Sequence, residues 1–145
     1  MHLLNQPVVD TLILPSSAAS YSSEIVGLLR THPQVIVGEL DPSTAATFFT
    51  ELFGLPKAKE FGPFLAVELN HGVSLDYAQV GEGEEIRPQH YAFLVSEDEF
   101  DAIYGRIRER GMQHWADPRG SRPGEINHND GGRGVYFQED RKSVV

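Results

Sequence analysis

The sequence of 145 residues lacks cysteine and is poor in basic side chains, and each absence excludes a class of function. Without cysteine there can be no disulfide, zinc–thiolate site or thiol nucleophile, so a metal site must use His, Asp, Glu or amide oxygens. Only 12 Lys and Arg stand against 21 Asp and Glu, for a net charge of −9. Because phosphate backbones require clustered positive charge, we expect no nucleic-acid partner.

Long hydrophobic runs are also absent, so we expect no membrane partner. The N-terminal text MHLLNQPVVDTLIL has no Lys or Arg before its apolar part, and Asp10 interrupts that part. This pattern disfavours a secretory signal peptide and, with the lack of cysteine, predicts a cytoplasmic protein. A content of 40% apolar and 10% aromatic residues is enough for a folded core of ordinary size.

Residues 1–33 form an N-terminal extension that differs in pattern from the rest of the chain. Its apolar, β-branched segment 8–14, between Pro7 and Pro15, predicts a strand. A Ser-rich linker follows, and the apolar spacing over 24–30 predicts a short helix.

Module one, residues 34–80, has the pattern of a strand, a helix and further strands. The helix is predicted to begin after Asp41, an N-cap followed by proline, and to end at Gly54. Alternating or apolar segments predict three strands around it: 35–37, 64–69 and 73–78.

Module two, residues 88–145, repeats this order. Ser96 and Glu99 predict a capping box at the start of its helix, and Gly111 closes that helix. Strands are predicted at 91–95, 112–116 and 135–137. A long loop over 117–134 separates the last two of these strands.

Counting aligns the two modules and shows where the second one differs. When Gln34 is placed on His90 and Val67 on Phe137, the position equivalent to Asp76 falls one residue beyond the end of the sequence. The repeat therefore predicts paired modules in which the last strand of module two is missing or replaced.

Three segments carry a resemblance to a known family: ATFFTELFG at 46–54, QHYAFLV at 89–95 and GGRGVYFQ at 131–138. In this order they resemble the vicinal oxygen chelate superfamily of glyoxalases, extradiol dioxygenases and bleomycin-resistance proteins. The resemblance implies an α+β fold in which paired βαβββ modules form an open mixed-sheet barrel with a cleft.

The resemblance also implies a divalent metal ion, Fe, Mn, Zn or Ni, held at equivalent positions of the two modules. The matching residues are His90, Gln34 and Asp76. Each has a structural alternative: a half-buried histidine at a strand start, an ordinary polar residue, and a solvent-facing acid on an alternating strand. The family's last carboxylate ligand has no counterpart, and Asp10 in the strand 8–14 is one hypothesis for its replacement.

The loop 117–134 is a candidate wall of a substrate pocket, since long loops in compact domains often serve function. Arg119 or Arg122 could pair with a carboxylate of a ligand. Four other polar or aromatic residues could line the cleft: Tyr91, Trp115, Asn127 and His128. Turn formation or core packing would explain the presence of each of them equally well.

These features predict a metal-dependent enzyme of the glyoxalase or dioxygenase type, a lyase or dioxygenase acting on a small molecule with vicinal oxygens. One alternative is a metal-free binding protein of the bleomycin-resistance type, and another is an inactive, truncated relative. We expect a homodimer for this family.

Overall fold

A computed structural model describes residues 2–4, 34–69, 72–84, 86 and 90–138. The predicted strand 8–14 with Asp10, the predicted helix 24–30 and the residues after Gln138 lie outside the described residues. The contacts divide the chain into two compact units, one holding module one and the other holding residues 2–4 with module two. Among the described helices, none has the length and apolar character needed to cross a membrane.

The described elements are, in chain order, β1 (His2–Leu4), β2 (Gln34–Glu39), α1 (Pro42–Phe53), β3 (Lys59–Phe61), β4 (Phe64–Glu68), β5 (Ser74–Gln79), β6 (Ala92–Leu94), α2 (Glu97–Glu109), β7 (His114–Trp115) and β8 (Val135–Phe137). A 3₁₀ turn at Asn129–Gly131 precedes β8. The prediction of an α+β protein is confirmed, because each unit contains a mixed sheet and a helix.

Module one is a four-stranded sheet in the order β2-β5-β4-β3, with β2 and β5 parallel and the other pairs antiparallel. Helix α1 begins as predicted, since the Asp41 side chain accepts hydrogen bonds from the Thr44 N–H at 3.1 Å and the Thr44 hydroxyl at 2.6 Å. Gly54 ends the helix with a φ of 67°, the left-handed conformation that favours glycine. Phe49 and Leu52 of α1 are fully buried in the core.

Module two has a second four-stranded sheet, in the order β6-β1-β8-β7. The predicted capping box of α2 is confirmed, with the Ser96 N–H donating to Glu99 Oε2 at 2.8 Å and the Glu99 N–H donating to Ser96 Oγ at 3.3 Å. The core contains one apolar face of α2 and the inward residues of β8: Phe100, Ile103, Ile107, Val135 and Phe137.

Strand β1 takes the place of the strand that the sequence of module two lacks. It pairs with β6 in parallel and with β8 antiparallel, just as β5 pairs with β2 and β4 in module one. Residues 2–4 therefore complete the second module. The hypothesis that residues 8–14 fill this place is not supported, because His2–Leu4 already lie between the two neighbouring strands.

Candidate active site on the sheet of module two

A row of residues crosses the sheet of module two at one register level. The paired positions are Ala92 on β6, His2 on β1, Tyr136 on β8 and Trp115 on β7. Tyr136 lies between Val135 and Phe137, which are buried, so strand alternation places it on the opposite face from the core. This outer face of the sheet is the candidate site.

His90 lies beside this row, two residues before Ala92. Its ring centroid is 5.9 Å from that of Tyr136, and the two ring planes are inclined by 32°. The residue is exposed, yet the protein atoms around its ring displace part of its hydration, and this burial lowers the pKa of His90. The lowered pKa favours the neutral imidazole, the form in which a ring nitrogen can bind a metal ion.

A cavity of about 420 Å³ opens on the same face. His90, Trp115, Tyr136 and the loop residues Asp117 and Arg119 contribute to its wall. The volume falls in the range of small-molecule sites, and the lining combines aromatic rings with a few polar groups, as such sites commonly do.

Of the predicted pocket residues, Trp115 and Arg119 line this cavity, whereas Tyr91, Arg122, Asn127 and His128 are not among the described residues that line it. Asn127 has a structural role instead. It is 4% exposed, and its Nδ2 donates to the Ala116 carbonyl at 2.8 Å. Its amide is thus used inside the loop.

Sequence reasoning missed Tyr136 and Asp117 as pocket residues. For Tyr136 a signal was present, because a polar-tipped aromatic residue between two apolar residues on a strand must face away from the core. For Asp117 no such signal existed, since an aspartate at a loop start is more often a turn former.

Asp76 lies in the unit of module one and is completely buried, with 0% of its surface exposed. Its Oδ1 accepts a hydrogen bond from the Ser74 hydroxyl at 2.9 Å, whereas its Oδ2 has no hydrogen-bond partner among the described residues. Burial raises the pKa of Asp76, and the Ser74 hydrogen bond opposes this rise. The alternative of a solvent-facing acid is therefore wrong.

The backbone of Gln34, at the start of β2, pairs with Ser74.

The strand registers make Asp76 and His2 equivalent. Asp76 pairs with Ile36, which lies two residues after Gln34, and His2 pairs with Ala92, which lies two residues after His90. His2 thus holds in module two the backbone position that the buried carboxylate holds in module one.

The nitrogen donors of module two suit a divalent metal, but the described side chains form no complete site. Within the described parts of the chain, no group of three or more His, Asp or Glu side chains lies close enough to hold a metal ion. The imidazole of His90, two residues before the backbone partner of His2, is the part of the arrangement that fits a metal.

Comparison with known proteins identifies relatives among solved structures. No protein-family model matches the chain, and no curated protein matches it. The structure named oxidase ChaP-H1 is 52% identical, with a TM-score of 0.70, over 75% of this chain and 86% of its own. Oxidase ChaP-H2 is 53% identical, also with a TM-score of 0.70, over 75% of this chain and 84% of its own. The chain therefore belongs to the family of the oxidases ChaP-H1 and ChaP-H2.

Proposed function

We propose that the protein is an oxidative enzyme of the vicinal oxygen chelate type. It acts on a small molecule with two neighbouring oxygen atoms and uses a divalent metal ion held in part by His90 and His2. The observation that carries this proposal is the register that pairs the backbone of His2 with Ala92, two residues after His90, at the position of the buried Asp76 in module one. The kinship with two proteins named oxidases supports the oxidative reaction.

The same observations weigh against the other candidates. The inactive-relative alternative depended on a missing strand and on its lost carboxylate. Strand β1 fills the position of that strand, and His2 stands there at the backbone position equivalent to Asp76. The lyase and metal-free alternatives have no support from the names of the two relatives. An oxidation of this kind requires an oxidant, for which we propose dioxygen.

Beside His90 and His2, the resemblance to the superfamily implies Asp76 and Gln34 as the further ligands. Two histidines and one carboxylate are a set that suits Fe(II) with open coordination positions. When bound, the metal ion would chelate the two substrate oxygens and withdraw charge from them. The unpartnered oxygen of Asp76 supports its place in this set, because a buried carboxylate is stable as an anion only beside a compensating charge.

The remaining pocket residues orient the substrate. The ring of Tyr136 lies beside that of His90, with the two centroids 5.9 Å apart. Burial, followed by the nearby charge of Asp117, raises the pKa of Tyr136, so its hydroxyl stays protonated and can donate to a ligand oxygen. Trp115 offers a flat apolar wall on the same face.

Metal analysis of purified protein tests the proposal. Wild-type protein from medium containing Fe, Mn, Zn and Ni should carry close to one metal ion per chain. His90→Ala should lose most of it, whereas His128→Ala, a matched variant of an exposed histidine outside the described cavity lining, should retain it. The metal-loaded wild type should also consume dioxygen with catechol as a probe, faster than free metal does. Absence of metal from the wild type would contradict the proposal.

A further inference from the structure

The loop after β7 is built around the Asp117 carboxylate. Oδ1 accepts from the N–H groups of Arg119 at 3.0 Å and Ser121 at 3.3 Å, and Oδ2 accepts from the Ser121 hydroxyl at 2.8 Å and the Arg122 N–H at 3.0 Å. The Ala116 N–H donates to the Arg122 carbonyl at 3.1 Å and closes the loop at its base. The backbone on both sides of Arg119 is thereby held in place.

The same loop lies against the ring of Trp115. Gly120 has a φ of +71°, and a Cβ at this position would lie 3.2 Å from the indole Nε1. The loop thus approaches the Trp115 ring as closely as a glycine permits. Trp115 and the loop form one wall of the cavity, and Arg119 lies on that wall.

Within the part of the chain that the structure describes, the guanidinium of Arg119 forms no ion pair. No described carboxylate pairs with its guanidinium, and the oxygens of the neighbouring Asp117 accept hydrogen bonds from the loop instead. Arg133 provides the contrast, because its guanidinium pairs with Glu97 and with Asp101 at 2.7 Å. Of the described residues that line the cavity, Arg119 is the one arginine or lysine, and so the one with a fixed positive charge.

We propose that the cavity binds an organic acid, with the carboxylate of the ligand on Arg119 and an apolar, planar body against the rings of Trp115 and Tyr136. Guanidinium groups bind carboxylates through paired, charge-assisted hydrogen bonds, and indole and phenol rings favour flat partners. This inference deepens the proposed function by giving the substrate class of the same pocket. It does not depend on the metal.

The single tryptophan of the chain gives a direct assay, because Trp115 is the only source of indole fluorescence and lies in the cavity wall. Benzoate and benzamide serve as probes that match in shape and differ in charge. Benzoate should change the fluorescence of the wild type at millimolar concentrations and bind at least tenfold more tightly than benzamide. Arg119→Ala should weaken benzoate binding by about tenfold to a hundredfold, the usual effect of losing a charge-assisted hydrogen-bonded pair.

Three controls make the result specific. Arg122→Ala removes an arginine of the same loop that does not line the described cavity, and it should leave benzoate binding unchanged. Arg119→Lys should bind with intermediate affinity, because lysine keeps the charge and loses the planar fork. Benzamide affinity should be the same in Arg119→Ala and wild type, which shows that the pocket remains folded.

The titrations are run on protein with its metal and on protein treated with a chelator. Selective benzoate binding without metal supports the inference even if no metal is ever found in the protein. Equal affinity for the two probes, absence of any benzoate response, or a loss in Arg122→Ala as large as in Arg119→Ala would overturn it. These failures leave the metal content untouched and so are distinct from a failure of the proposed function.

Discussion

Replacing Asp76 with asparagine should stabilise the metal-free protein at neutral pH and change its stability little in acid. Asp76 is completely buried, one of its oxygens accepts from Ser74, and the other has no hydrogen-bond partner among the described residues. Asparagine has nearly the same shape and keeps an acceptor for the Ser74 hydroxyl. What it removes is a negative charge that burial makes unfavourable.

The sign of the pH dependence follows from the direction of the pKa shift. Burial raises the pKa of Asp76 in the folded chain above its ordinary value of 3.8. Over the pH range between these two values the folded chain keeps a proton that the unfolded chain has lost, so stability falls as pH rises through that range. Asp76→Asn removes this loss of folding stability, because asparagine does not titrate. Because a charged group buried without a partner costs about 1–3 kcal/mol, the variant should gain about that much at pH 7.

The assay is urea unfolding of chelator-treated wild type and Asp76→Asn, near pH 4 and at pH 7. Glu68→Gln is the matched control, since Glu68 lies on β4 of the same sheet, is exposed, and should change the free energy of unfolding by less than about 1 kcal/mol. Added divalent metal should then stabilise the wild type and not Asp76→Asn. The reasoning is refuted if the difference between the two proteins does not depend on pH, or if the variant is the less stable one at pH 7.

Two further substitutions test the packing and the capping of the helices by the same urea measurement. Phe49→Ala should cost about 3–5 kcal/mol, because Phe49 is fully buried and its removal leaves a cavity, and a cost below about 1 kcal/mol would contradict its place in the core. Ser96→Ala should cost about 1 kcal/mol through loss of the capping box, and Ser96→Asp should restore most of it, whereas equal stability of both variants with the wild type would show that the cap contributes nothing.

Helices α1 and α2 could be predicted closely from the sequence because their boundaries depend on neighbouring residues. Asp41 with proline after it, Gly54, and the Ser96 and Glu99 pair fix the helix ends through local hydrogen bonds and local backbone conformation. Strand β3, Lys59–Phe61, was missed, since all its residues are exposed and no alternation of polar and apolar residues marks it.

Strand β1 was missed for a different reason. Three residues are too few to show a period, and what makes His2–Leu4 a strand is the pairing with β6 and β8, which lie far away in the sequence. The counting of the repeat did predict that a strand must be missing or replaced. The repeat could not predict which segment replaces the missing strand, because pairing with the backbone of neighbouring strands does not require a particular sequence.

The candidate site was predictable where a residue type was unusual for its position. His90 stood out at a strand start, and Trp115 was the single tryptophan. The environment of Asp76 could not be read from the sequence, because alternation predicted one exposed face of β5, whereas Leu75, Asp76 and Tyr77 are all buried. The burial of a carboxylate depends on what packs over the sheet.

The metal content of His2→Ala is the measurement that tests the central claim most directly, namely that the N-terminal strand completes module two and supplies a second histidine to the proposed metal site. The protein should carry its purification tag at the C-terminus, so that nothing is attached next to β1. We expect about one metal ion per chain in the wild type and in His128→Ala, and a large loss in both His2→Ala and His90→Ala. Full metal occupancy in His2→Ala, beside a loss in His90→Ala, would contradict the claim.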